Sequence, residues 1–102
     1  MSFLIDIRPA AEADLNDIHE RLSAYSEDTG NRTYSLLKDA ICSLQEFPRR
    51  FALAPESTGA TLEVRHLVVG NYRVLYTIIG NVVRVARVVH GAQRSLDPKE
   101  LF

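Results

Sequence analysis

Apolar positions recur along this chain with two periods, and the change of period divides it. From Ala10 to Tyr25 the apolar residues Ala11, Leu15, Ile18, Leu22 and Tyr25 return every three or four positions, the stripe of an amphipathic helix. Pro9 suits the first turn, where a missing N–H leaves nothing unsatisfied. Glu12, Asp14, Asp17 and Glu20 fill the other positions, with acids near the end that the helix dipole makes positive. A short connection, Ser26 to Asn31, offers Asp28 as the N-cap of a second helix over Thr29 to Phe47. Its stripe is Tyr34, Leu37, Ile41, Leu44 and Phe47, and Pro48 stops it. The two helices are close enough in sequence to form an antiparallel hairpin. Ahead of them, Phe3 to Ile7 reads as a short strand.

From Val64 onward the period falls to two. Val64–Val69, Tyr72–Ile79 and Val82–His90 are rich in Val, Ile, Leu and Tyr, and Gly70-Asn71 and Gly80-Asn81 separate them. Loops this short join antiparallel neighbours, because a parallel connection needs a long crossover. On the last strand Val83, Val85, Arg87 and Val89 would share one face and Arg84, Ala86, Val88 and His90 the other; a bulge near Ala86 would change that division. Neither this strand nor the middle one is cleanly amphipathic, so both faces are expected to be covered, one by helices and the other by a partner or ligand. The reading is one α+β domain over residues 1–102, in the order β-α-α-β-β-β. A helix hairpin covers a three- to four-stranded, largely antiparallel sheet, with four strands if the first one joins.

Composition changes this picture little. At 102 residues, 46% hydrophobic and 25% charged, the chain suits one soluble domain with a modest core. No run approaches a membrane span, and the N-terminus does not read as a signal peptide. The lone Cys42 cannot form an internal disulfide, so a reducing cytoplasm is expected, with the thiol a small buried or half-buried residue. His19 lies off the first stripe with no metal-ligand spacing to another His or Cys, and reads as a surface residue. No metal and no cofactor is expected.

Charge changes it more. The net charge of −1 hides a balance of −5 over residues 1–46 and of +4 over residues 47–102. Between Val64 and Leu96 there is no Asp or Glu, yet Arg65, Arg73, Arg84, Arg87 and Arg94 all fall there, with His66 and His90. An anionic partner for this half is one reading, and arginines that merely solvate a sheet face is the other. Arg49 and Arg50, in the loop from Pro48 to Leu62, are either solvent-facing or part of an anion site. After the meander, Gly91 to Phe102 is a tail in which Asp97-Pro98 can start a helical turn.

The chain resembles the RelE/ParE toxins of bacterial type II toxin–antitoxin systems, closer to the ParE-like branch. The resemblance rests on Pro9 to Leu15 with Ile18, and on Leu44 to Pro48 ending the second helix. It rests further on Arg65 with Val69 to Tyr76, and on Val85 to Gly91 with Arg94. Many members carry an acid after that last arginine, where this chain has Ser95. The resemblance implies a toxin, of the kind that stabilises plasmids, neutralised by a cognate antitoxin that wraps its surface. It implies contact with operator DNA only through that antitoxin. RelE-like members cut messenger RNA in the ribosome, whereas ParE-like members share the fold and poison DNA gyrase without being nucleases.

A nuclease would need a base, an acid and cations for the phosphate in its transition state. The residues to supply them are Arg65, Arg73, His90 and Arg94, but Arg65 and Arg73 can equally pair with Glu63 or Glu56, and His90 can cap the strand end. RelE-like sets often include lysines after the second helix or a tyrosine near the C-terminus; this chain has only Lys38 and Lys99, its last tyrosine is Tyr76, and Gly91 follows His90. Ribosome binders are also usually strongly basic. The ParE-like reading is therefore preferred, with an inactive toxin kept as an antitoxin-binding co-repressor as a further alternative. Arg65, Arg73, Tyr76 and Arg87 are the candidate antitoxin contacts, and His90, Arg94 and Leu96 the candidate target contacts.

Overall fold

A computed structural model describes residues 2–58 and 61–91. The elements are β1 (Leu4–Ile7), α1 (Pro9–Tyr25), α2 (Glu27–Cys42), β2 (Arg65–Val69), β3 (Tyr72–Ile79) and β4 (Val82–His90), with short 3-10 turns at Ser43–Gln45, Pro48–Arg50 and Pro55–Ser57. The sheet order is β1-β4-β3-β2. The meander is antiparallel, and β1 does join the sheet, parallel to β4 with Leu4 beside Val82 and Ile7 beside Val85. At both hairpin turns the positive φ falls on the glycine, Gly70 or Gly80, as a turn of type II′ requires.

The helix hairpin is tighter than its sequence suggests. One residue, Ser26, separates the helices, and its hydroxyl accepts the Thr29 N–H at 3.3 Å, so Ser26 and not Asp28 is the N-cap. Gly30 is buried at this corner, where a Cβ would stand 2.1 Å from Ser23 Oγ and 2.8 Å from the Ser23 backbone nitrogen. Only a glycine lets α2 turn back this closely on α1.

The helices cover one face of the sheet. Ala11, Leu15 and Ile18 of α1, Leu37 and Ile41 of α2, and Leu44 pack with Val74, Tyr76, Val83, Val85 and Val88. The ends of both stripes depart from the expectation. Tyr25 is 94% exposed, because α1 ends there and no element covers it, and Phe47 is 77% exposed. Helix α2 ends at Cys42, the chain continues as a 3-10 turn, and Phe47 takes a left-handed backbone with φ 48° and ψ 53°. For a residue with a Cβ this conformation costs about 1–2 kcal/mol. Cys42 is exposed rather than buried, and His19 is half-buried, within 2.8 Å of Asn31 Oδ1.

The other face carries a second cluster of Ala54, Val64, Leu75, Ala86 and Val89. The division between faces depends on a bulge, since the β3–β4 register jumps so that Tyr76 pairs with Val85 but Leu75 with Arg87. Ala86 is the extra residue. It lets Val85 and Val88 both face the helices while Ala86 and Val89 share the opposite cluster. That face is closed in part by the chain itself, not only by a partner or ligand: Leu53 bridges to Arg65, and the Ala54 N–H donates to the Val64 carbonyl at 2.8 Å.

Candidate functional site

The arginines of the meander are where the charge pattern located the chemistry, and each described one is already engaged. Arg73 leaves β3 beneath the 3-10 turn Pro55–Ser57 and meets Glu56 in two parallel hydrogen bonds, Nη1 to Oε1 at 3.0 Å and Nη2 to Oε2 at 2.7 Å. The Arg73 side chain is 11% exposed and that of Glu56 is 0% exposed. This planar fork on a carboxylate is the geometry that lysine cannot make. The bonds to Glu56 hold the guanidinium more firmly charged than usual, against the opposing effect of burial.

His66 completes the cluster. Its Nδ1 lies 3.2 Å from Arg73 Nη1, and a guanidinium can only donate, so Nδ1 accepts and the ring proton sits on Nε2. Burial, and then the Arg73 charge, push the His66 pKa below its usual value, with Glu56 opposing in part. His66 also lines an open groove of about 640 Å³ with Leu53, Ala54, Pro55, Ser57 and Thr58.

Arg65 faces the same loop from β2. Its Nη1 donates to the Phe51 carbonyl at 2.7 Å, while Nη2 stands 3.7 Å from the exposed Glu63 carboxylate. Tyr76 is fully buried and donates its hydroxyl to the Pro48 carbonyl at 2.5 Å. Burial pushes its pKa up to about 12, although Arg65 and Arg50 pull the other way. Tyr76 therefore fastens the loop to the sheet and presents no surface of its own.

Arg87 is held from the helix side. Its Nε and Nη2 donate to Asp14 Oδ2 and Oδ1 at 2.7 and 2.9 Å, and Asp14 Oδ2 also accepts the Val88 N–H at 2.9 Å. The pairing of β1 with β4 runs from Val82 to Val85, and the Asp14 carboxylate takes up a β4 backbone donor beyond that point. Arg84 stands 3.6 Å from Asp6. His90 is exposed at the end of β4, edge-on to the Tyr72 ring at 5.4 Å between centroids. Arg94 and Leu96 lie outside the described residues.

The structure thus brings Arg73 and His66 to one loop-covered face, sets Arg65 beside Tyr76 on the other face of the sheet, puts Arg87 against α1, and leaves His90 at the strand end. The sequence named both Glu56 and Glu63 as partners, and Arg73 takes the first while Arg65 takes the second. Asp14 was not singled out, although its spacing from Ala11 and Ile18 sets it on the inner side of α1. That Glu56 is the buried partner has no such signal, since it is one acid in an irregular loop. No group of three or more His, Cys, Asp or Glu among the described residues could hold a metal ion. No described helix is long and apolar enough to cross a membrane.

The family described as the ParE toxin of the type II toxin–antitoxin system, parDE, matches residues 5–95. No curated protein matches. Among solved structures, the chain is similar to one of the chromosomal ParDE system of P. aeruginosa, at 15% identity and a TM-score of 0.74, over 87% of this chain and 96% of that one. It is similar also to one of the RelBE2 toxin–antitoxin complex of Mycobacterium tuberculosis, at 20% identity and a TM-score of 0.60, over 88% and 99%. A mutant of the E. coli toxin RelE in the free state gives 20% identity and a TM-score of 0.61, over 90% and 86%. At these identities the likeness carries the fold.

Proposed function

Because the chain belongs to the ParE toxin family of type II toxin–antitoxin systems, we propose that it arrests growth by binding DNA gyrase, and that a cognate antitoxin neutralises it. The observation that carries the choice of target is the pairing of Arg73 with Glu56. A nuclease stabilises its phosphorane with cations aimed at the place where charge develops. Arg73 is instead aimed at a carboxylate of its own chain and is nearly out of reach of solvent. Arg87 is engaged in the same way by Asp14. Recruiting either for a phosphate would leave a half-buried or buried carboxylate without its partner, at a cost of several kcal/mol. The arrangement suits a sheet that is rigid and acts through its surface.

On this reading His90 and the following residues, with Arg94 and Leu96, contact the target. Arg65, whose link to Glu63 is long and exposed on the acid's side, can exchange that acid for one of the antitoxin. Arg73, Tyr76 and Arg87 support the antitoxin-binding surface from beneath. The toxin works in the cytoplasm, needs no cofactor, and reaches operator DNA through its antitoxin.

The test is expression without the antitoxin. Growth should stop, plasmid DNA from the arrested cells should lose negative supercoils, and messenger RNA should stay uncut. Arrest with cut messenger would replace this reading with ribosome-dependent cleavage. Normal growth, with antitoxin binding retained, would leave an inactive co-repressor.

A further inference from the structure

We propose that the surface formed by Phe3, Phe47, Pro48, Arg49 and Arg50 is a docking site for an acidic segment of the antitoxin that carries one apolar anchor residue. The inference rests on the reading that an antitoxin neutralises this chain. These five residues line an open hollow of about 470 Å³ between β1 and the turn that follows α2, the volume of a few side chains.

The apolar part is built and then left open. Phe47 ends an apolar stripe yet stands 77% exposed, on the one non-glycine backbone with positive φ among the described residues. Backbone strain of this kind gathers where a fold holds a side chain in place for a ligand. The surroundings are fixed. Pro48 is buried and its carbonyl takes the Tyr76 hydroxyl, and Phe3 donates its N–H to the Gln45 carbonyl at 2.8 Å. A surface already rigid loses little freedom when a partner binds.

The charge points to the occupant. Among the described residues every arginine and lysine has a carboxylate within 4 Å except Arg21, Arg49 and Arg50. Two of these three flank the hollow. Arg50 lies over the Phe51 ring at 4.4 Å and bonds the Glu46 and Phe47 carbonyls and Ser43 Oγ; Arg49 lies at 6.0 Å from the Phe3 ring. Arg50 spends its outer N–H groups on these oxygens and adds its charge to the hollow, while Arg49, over the Phe3 ring, offers its N–H edge to a carboxylate. The acid next in the chain, Glu46, accepts from Ser2 at 2.9 Å and bears its charge beside the hollow. A polyanion such as RNA would meet that charge, whereas a peptide with one carboxylate next to an apolar side chain fits both parts.

The test titrates purified toxin with the antitoxin encoded beside it, by calorimetry, after thermal melting of each variant. Phe47→Asn places in the left-handed backbone a residue that tolerates it, so its Tm should equal the wild-type value or exceed it by about 4 °C. Its affinity for the antitoxin should fall at least tenfold, as should that of Arg49→Glu, while Arg21→Glu stays within twofold. Wild-type affinity in folded Phe47→Asn and Arg49→Glu overturns the docking site. Wild-type affinity together with lost growth arrest overturns it too, and hands the surface to the target. A wild-type toxin that does not bind the antitoxin fails at the first titration, and then the underlying reading falls and the docking site with it.

Discussion

Glu56 and Arg73 set the terms at the scale of single residues. Removing one member of a buried pair leaves the other charged and unpaired, so Glu56→Ala should lose about 3–5 kcal/mol in urea unfolding. Tyr76 and His66 make stability depend on pH in opposite directions. The folded Tyr76 pKa lies near 12, above the ordinary 10.0, so its contribution is complete below pH 10 and fades as pH rises through 12. Unfolding followed between pH 9 and 12 should show stability falling for the wild type and a flatter curve for Tyr76→Phe. His66 has a lowered folded pKa, so its contribution is present above 6.5 and is lost as pH falls through the folded value. Replacing His66 with Gln should flatten the acid limb below pH 6.5 and leave the alkaline one in place. The sequence pointed to both acids that pair with Arg65 and Arg73, because few acids occur near the meander. It could not show that Glu56 is the buried one, since that depends on how an irregular loop folds over the sheet.

The elements were the most legible part, and the reasons are local. Gly70-Asn71 and Gly80-Asn81 lie between β-branched runs, and the strands begin and end beside them. Periodicity located both helices but not what lies over each residue, so it counted Tyr25 and Phe47 as core when no element reaches them. It also left the bulge at Ala86 open, because the register of β4 depends on which of its valines the helices meet. Ser26 was passed over because a helix hairpin with a one-residue link needs Gly30 at the corner, a requirement of packing rather than pattern. Gly30→Ala tests that corner. A methyl group 2.8 Å from the Ser23 backbone nitrogen forces the helices apart, and the loss should be about 1–3 kcal/mol in thermal or urea unfolding.

At the scale of the whole molecule, the surplus of acid in residues 1–46 and of base in residues 47–102 is partly spent within the fold. Asp14 of α1 holds Arg87 of β4, and Asp6 of β1 stands beside Arg84. The arginine-rich half is therefore less of an open basic surface than its sequence suggests, and this argues against a phosphate-binding face. On the proposed reading, a toxin built this way acts by what its surface grips. The most direct measurement pairs two assays on the purified protein: supercoiling by gyrase, and cleavage of messenger RNA on programmed ribosomes. The account predicts that supercoiling stops in proportion to added toxin and that the messenger stays whole. Cut messenger with gyrase unaffected would contradict it, and would mean that Arg73 leaves Glu56 to hold a phosphate during the reaction.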